Sequence, residues 1–336
     1  MGWQSLVRSK QAELRQQQRA QIGRQPDRVR TAARVRRELL AHHQHLGAPG
    51  FENYMEVLKS VHQDCSASWE WHSLAFSHPP PAPTPTRRRE TFASAALDGY
   101  QPGILDKLLG RNAKRRAELT VELDAAQRGD EQENAAAVVE HQKAVEAWAW
   151  FRELANGIIQ RNERAYDGAI EHLVGFDELE ELGASLTVTE ARPDVVAIDC
   201  FLGNRDTMIP DREFSTGARG KTLEKAIPES RRHDIYQDHA CSCAIRVARE
   251  VFALLPIDRV IVNVGAGAID SSTGHRRRQT FLAVHFVRVK LGQLNMNAID
   301  PSDSMKNFDH RMKFKKSAGF SDVEPITADE QWVTTG

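Results

Sequence analysis

Pro228-Glu-Ser-Arg-Arg-His-Asp-Ile-Tyr-Gln-Asp-His-Ala-Cys-Ser-Cys-Ala-Ile-Arg-Val-Ala-Arg-Glu-Val-Phe-Ala-Leu-Leu-Pro256 runs from proline to proline, with Ile235, Ala240, Cys243, Val247, Val251, Phe252 and Leu255 at helical steps. Proline suits the first turn of a helix and cannot continue one, so the stretch predicts a single helix with a strong apolar stripe. Before it, Gly183-Ala-Ser-Leu-Thr-Val-Thr189 and Asp194-Val-Val-Ala-Ile-Asp-Cys-Phe-Leu-Gly203 alternate or run apolar, bounded by Arg192-Pro193 and Gly203-Asn204. That is a β-hairpin pattern. After it, Arg259-Val-Ile-Val-Asn-Val-Gly265 and Gln279-Thr-Phe-Leu-Ala-Val-His-Phe-Val-Arg288 predict a second hairpin around Ser271-Ser-Thr-Gly274. A short helix from Asp300 to about Met312 closes the unit. The order ββαββα predicts an α+β domain over about 175–327, four mostly antiparallel strands with one central helix. The polar stretch 204–227 carries little that could pack, and 328–336 read as a flexible tail.

Toward the N-terminus the pattern turns helical. Leu105, Leu109, Leu119, Leu123, Val138, Val145, Trp148 and Ile159 recur at three- and four-residue steps over 104–160. This predicts one long helix or a broken pair with its weak point at Gly129-Asp130, and a sparse stripe of this kind suits a hairpin or coiled-coil contact. A short helix ending near Leu173 follows Asn156-Gly157. Pro79-Pro-Pro-Ala-Pro-Thr-Pro85 reads as a stiff polyproline-type linker over 79–90, leading into a helix that ends near Leu97. The remaining divisions are a basic helical arm over 1–78, with helices at 4–22, 26–45 and 51–65, and a helical hairpin or coiled coil over 91–173.

The chain has 336 residues, enough for two folding units, and 27% of them are charged. No apolar run approaches the roughly 18 residues of a membrane helix, which excludes a helical span. The first thirty residues hold Arg and Gln without an apolar core, so no secretory signal is expected, and four cysteines suit a reduced cytoplasm. A formal net charge of −1 hides an asymmetry: residues 1–40 have ten basic side chains against Glu13, Asp27 and Glu38, whereas 117–146 have eight acidic against Arg128 and Lys143. Such opposed segments can neutralise each other within a chain or between copies.

Motifs for chemistry are incomplete. Ser215-Thr-Gly-Ala-Arg-Gly220-Lys221-Thr222 ends like a phosphate-binding loop, but Ser215 stands where its first glycine belongs and Pro228 interrupts the helix that should follow. Val260-Ile-Val-Asn-Val-Gly265-Ala-Gly267 starts like a dinucleotide fingerprint, yet lacks the third glycine and precedes a turn and strand. His239 and Cys243, four apart on one helix face, are the weak candidates for zinc among His233, Cys200 and Cys241, and no C-x2-C pair supports them. His42-His43-x-His45 is a second such trio, best read as solvated. No metal or cofactor is predicted, and no nucleophile–base set can be drawn from spacing alone. The candidate interaction surface comprises Lys221, Arg231, Arg232, Asp234, Asp238, Arg246, His310, Arg311, Lys315 and Lys316, around the central helix and in a basic cluster near the C-terminus.

Tyr54-x5-Ser60-x-His62-x2-Cys65, Pro79–Pro81 and Tyr100-x-Pro102 resemble the helical part of a bacterial protein family of unknown function. So do Tyr236-Gln-Asp238-x2-Cys241-Ser-Cys243, Arg246-x-Ala-Arg-x2-Phe-Ala-Leu-Leu-Pro256, Asp300-Pro-Ser-Asp303 and Asn307-Phe-x-His-Arg-Met-x-Phe-Lys-Lys316. The resemblance spans about residues 50–327. A small glycine-rich β domain often precedes this region in that family, and the basic arm stands in its place here. The resemblance implies bacterial origin and domain limits, and it brings no catalytic residue.

The leading expectation is therefore a non-enzymatic cytoplasmic protein that interacts with a protein partner or assembles with copies of itself. The alternative is a nucleic-acid-associated protein, or a nuclease-like enzyme, working through the surface around the central helix; aromatic residues for stacking bases are few in its last basic cluster, where only Phe308 and Phe314 occur.

Overall fold

The computed structural model describes residues 48–102, 111–217, 220–269 and 273–330. The helices expected at 4–22 and 26–45, the 42–45 histidines and the tail beyond residue 330 lie outside them. In chain order the elements are α1 (Ala48–Ser60), α2 (Trp71–Ala75), α3 (Arg88–Asp98), α4 (Asn112–Ile159), α5 (Glu163–Leu173), α6 (Asp177–Glu181), β1 (Ser185–Ala191), β2 (Val195–Leu202), α7 (Arg205–Met208), β3 (Arg212–Thr216), β4 (Thr222–Ala226), α8 (Glu229–Leu254), β5 (Arg259–Ile269), β6 (Arg276–Val287), α9 (Arg288–Gly292), α10 (Pro301–Ser304), β7 (Asp309–Lys315) and β8 (Gly319–Ser321). Contacts divide the described chain into two units, one holding 73–153 and the other 48–72 with 154–330.

In the first unit, α4 runs unbroken through Gly129-Asp130, settling the choice between one helix and two over its length. The reason lies in what meets it there. Asp130 is buried, and its two carboxylate oxygens accept from the backbone N–H groups of Arg89 (3.2 Å) and Glu90 (2.9 Å), capping α3 from a neighbouring helix. A Cβ on Gly129 would lie 2.7 Å from the Arg89 guanidinium, so the glycine gives that side chain its room. The proline-rich segment lies along α4. The Trp148 indole donates to the Ser77 hydroxyl at 3.0 Å, while at the other end Asn134 exchanges two hydrogen bonds with the Thr86 backbone at 2.8 and 2.9 Å.

The second unit is α+β, built on α8 as the sequence predicts. Its sheet has six strands in the order β1-β2-β5-β6-β7-β8. The two expected hairpins, β1–β2 and β5–β6, are antiparallel, but β2 and β5 meet in parallel register from Val195↔Arg259 to Leu202↔Ala266. A parallel pair needs a long crossover, and the segment carrying α8 supplies it. Buried on both faces, β2 reads Val195-Val-Ala-Ile-Asp-Cys-Phe-Leu202, nearly all apolar.

Two stretches depart from expectation. The polar stretch 204–227 contains the separate hairpin β3–β4, against whose Phe214 ring Phe51 packs edge-on with centroids 5.7 Å apart. The helix expected through Met312 ends at Ser304. One 3₁₀ turn follows, and the chain then enters β7. The far face of the sheet is closed by residues 322–330. Ile326 and Ala328 pack on Val195, Ala197, Ile261 and Ala283, and the Asn263 amide exchanges hydrogen bonds with the Ile326 backbone at 2.9 and 3.1 Å.

Candidate functional site

A cavity of about 290 Å³ opens where the N-terminal end of α8 meets β5, β6 and β8. Its shape depends on a bulge. Val264 pairs with Leu282 and Gly265 with Thr280, which leaves Phe281 unopposed. A Cβ on Gly265 would sit 2.5 Å from the Gln279 carbonyl oxygen, so the bulge requires glycine there. The freed Phe281 ring stacks on Phe320 with centroids 4.4 Å apart, and Tyr236 and Phe314 meet Phe320 edge-on at 6.0 and 5.2 Å. Four aromatic rings from α8, β6, β7 and β8 thus form one wall.

Polar groups complete the lining. Tyr236 donates its hydroxyl to the Gly203 carbonyl at 2.8 Å, and burial pushes its ionisation upward, so it stays neutral. His233 Nδ1 lies 2.8 Å from the Lys316 carbonyl, and Arg205 contacts its Nε2. The ring is thus held between an acceptor and a guanidinium. Gly319, at φ 76°, lets the turn pass His233, where a Cβ would come within 3.1 Å of the ring. Arg205 also pairs with Asp206 and Glu229, both at 2.6 Å, and Arg232 with the same two at 3.0 and 2.8 Å. These contacts hold both carboxyls below the ordinary range, Asp206 chiefly through Arg205 and Glu229 chiefly through Arg232. Of these four, Arg205 alone lines the cavity, and its charge is offset by the two carboxylates behind it. Of the exposed cations on these strands, Arg277 shares the Gln279 face of β6 and pairs with Asp322, Arg278 lies over the Phe201 ring, and Lys313 and Lys315 alternate with Phe314 and so lie on the other face of β7.

Comparison with known proteins finds no matching family model, curated protein or solved structure.

The ten candidate surface residues fall into separate places. Asp234 and Lys316 form an ion pair at 3.0 Å beside the cavity, and Arg231 pairs with Glu213 at 3.0 Å. Lys315 is exposed at the end of β7, on the face away from Phe314, while Lys221 is exposed in the β3–β4 turn. Arg232 is buried, donating to the Ile209 carbonyl at 2.9 Å besides its carboxylates, so it is a fastening of α8. Asp238 is half-buried, and burial together with the neighbouring Asp300 carboxylate raises its ionisation. Arg246 lies about four helical turns from Arg232, buried between Glu250 at 2.7 Å and Glu178 at 3.3 Å. His310 bonds the Phe308 carbonyl at 3.0 Å, and Arg311 turns to the opposite face, where Glu330 accepts from it at 2.5 Å. Arg232 and Arg246 therefore leave the interaction surface.

His239 and Cys243 do meet, with Sγ 3.6 Å from Nε2, but His239 Nδ1 lies against the Leu58 carbonyl at 3.0 Å and both residues are buried. Burial raises the Cys243 and Cys241 thiols and takes Cys200 up to about 12. Among the described residues no three His, Cys, Asp or Glu converge as metal ligands. Ser242 and His62 make a pair that resembles a nucleophile and base, with Oγ 2.9 Å from Nδ1. Ser242 is fully buried and also accepts from the His62 backbone N–H at 2.9 Å. The pair joins the 3₁₀ turn after α1 to the middle of α8, and both side chains are buried. Sequence reasoning missed the aromatic wall because its rings lie on four elements; alternation of Phe308, His310, Met312 and Phe314 was the available signal.

Proposed function

We propose that the second unit binds single-stranded nucleic acid, seating one base in the cavity against Phe281 and Phe320. The observation that carries this reading is an aromatic wall and a set of hydrogen-bonding groups within one concavity, with Arg205 in its lining and Arg277 on the adjoining face of β6. A base offers a flat apolar face and a polar edge, matching that wall and those groups, and stacking tolerates any sequence. The cavity volume, about 290 Å³, is at the small end of the range for ligand pockets. Arg205 and Arg277 would meet flanking phosphates, an attraction that weakens as salt rises. The setting that goes with this reading is a bacterial cytoplasm, where the four cysteines, all free, stay reduced.

The test is fluorescence anisotropy with a labelled oligothymidylate at increasing salt. We expect saturable binding at low salt that weakens steadily as salt is added. Phe320→Ala should cost about 1–3 kcal/mol, the worth of one stacked base, and Arg277→Glu should flatten the salt dependence. Absence of binding at low salt, or equal binding by a folded Phe320→Ala variant, would overturn the reading.

A second reading, self-assembly through the first unit, is favoured by where large apolar side chains stay exposed. Phe76, Phe92, Val121, Val138 and Val139 all belong to that unit, each more than half exposed.

A further inference from the structure

The proline-rich segment reads from sequence as a spacer, and its structure is more specific than that. Over residues 77–86 the half-buried positions are Ser77, Pro80, Pro83 and Thr86, and the residues between them are exposed. That three-residue repeat is the period of a polyproline II helix, which has three edges. One edge lies inward, with its ends fixed on α4 by the Trp148 and Asn134 hydrogen bonds. The other two edges face solvent and present Pro79, Pro81 and Pro85, continuing into exposed Arg87 and Arg88.

We infer that this segment is a preformed ligand for a protein module with an aromatic-lined groove and an acidic rim. Grooves of that kind grip two edges of a polyproline helix by packing aromatic rings between prolines, and leave the third edge free. Here the third edge is the one α4 occupies. Because the segment is already extended, little conformational entropy is lost on docking. Arg87 and Arg88 at one end give the polarity that an acidic rim would read. The inference is independent of the nucleic-acid reading.

The experiment is calorimetric titration of the full chain with three purified polyproline-reading modules: an SH3, a WW and an EVH1 domain. A saturable isotherm is expected with an acidic-rimmed module, becoming about tenfold or more weaker in Pro81→Ala/Pro85→Ala, which alters only outward positions. Asn134→Ala releases the Thr86 end while leaving α4 helical by circular dichroism, and it should weaken the isotherm several-fold through lost preorganisation. No binding to any module, or binding unchanged in either variant, overturns the inference.

Discussion

Glu250 is 1% exposed, with its carboxylate 2.7 Å from Arg246 and accepting from the Ser66 backbone N–H at 3.0 Å. A charge that deep depends on its partner. Glu250→Gln should cost less than the roughly 3–5 kcal/mol of fully stranding a buried charge, because Arg246 keeps Glu178 at 3.3 Å, and Glu250→Gln with Glu178→Gln, which does strand it, should reach that range. Urea unfolding of the three proteins checks this. His285 offers a pH test. Burial, with Arg259 and Lys290 adding repulsion, holds its ionisation below the ordinary 6.5 despite Asp309 at 3.8 Å. The unfolded chain then binds the proton more readily, so stability falls as pH drops through 6.5 toward the lower folded value. His285→Gln should show a shallower loss of urea midpoint than the parent between neutral pH and pH about 5.5. Neither site was legible in the sequence, because Glu250 and His285 take their character from burial and from neighbours far along the chain.

At the scale of elements, the cap on α3 is supplied by Asp130, forty residues downstream of Glu90. Asp130→Ala should lower thermal stability by about 0.5–2 kcal/mol, the range for losing a cap, and reduce helix content by circular dichroism only slightly, since α4 keeps its own hydrogen bonds. In the sequence, Gly129-Asp130 marks a break in α4, because glycine and aspartate are poor helix formers; tertiary contact overrides that local preference. The central helix and the two hairpins were legible because their apolar periods are long and bounded by proline or glycine. β7 was obscured by Asp300, whose side chain accepts from the Asp303 N–H at 2.9 Å and advertises a helix that lasts only through Ser304. The aromatic cavity needs a bulge, β7 and β8 at once, and so lies beyond any single-segment pattern.

For the whole molecule, the question is whether copies associate. If the exposed valines of α4 form a contact, light scattering should show mass rising with concentration, and Val138→Glu with Val139→Glu should return it to the mass of one chain at equal helix content; a constant single-chain mass in the parent would leave self-assembly without support. The covering of the sheet by residues 322–330 has another consequence, for synthesis. Ile326, which closes the face carrying Val195 and Ala197, is made well over a hundred residues after them. At ordinary elongation rates of about 5–20 residues per second, that face stays open for roughly 6–25 s on every growing chain. During that interval a nascent chain offers an apolar β surface to its neighbours on the same messenger, and a folding chaperone or a wide spacing of ribosomes would decide how many copies survive it.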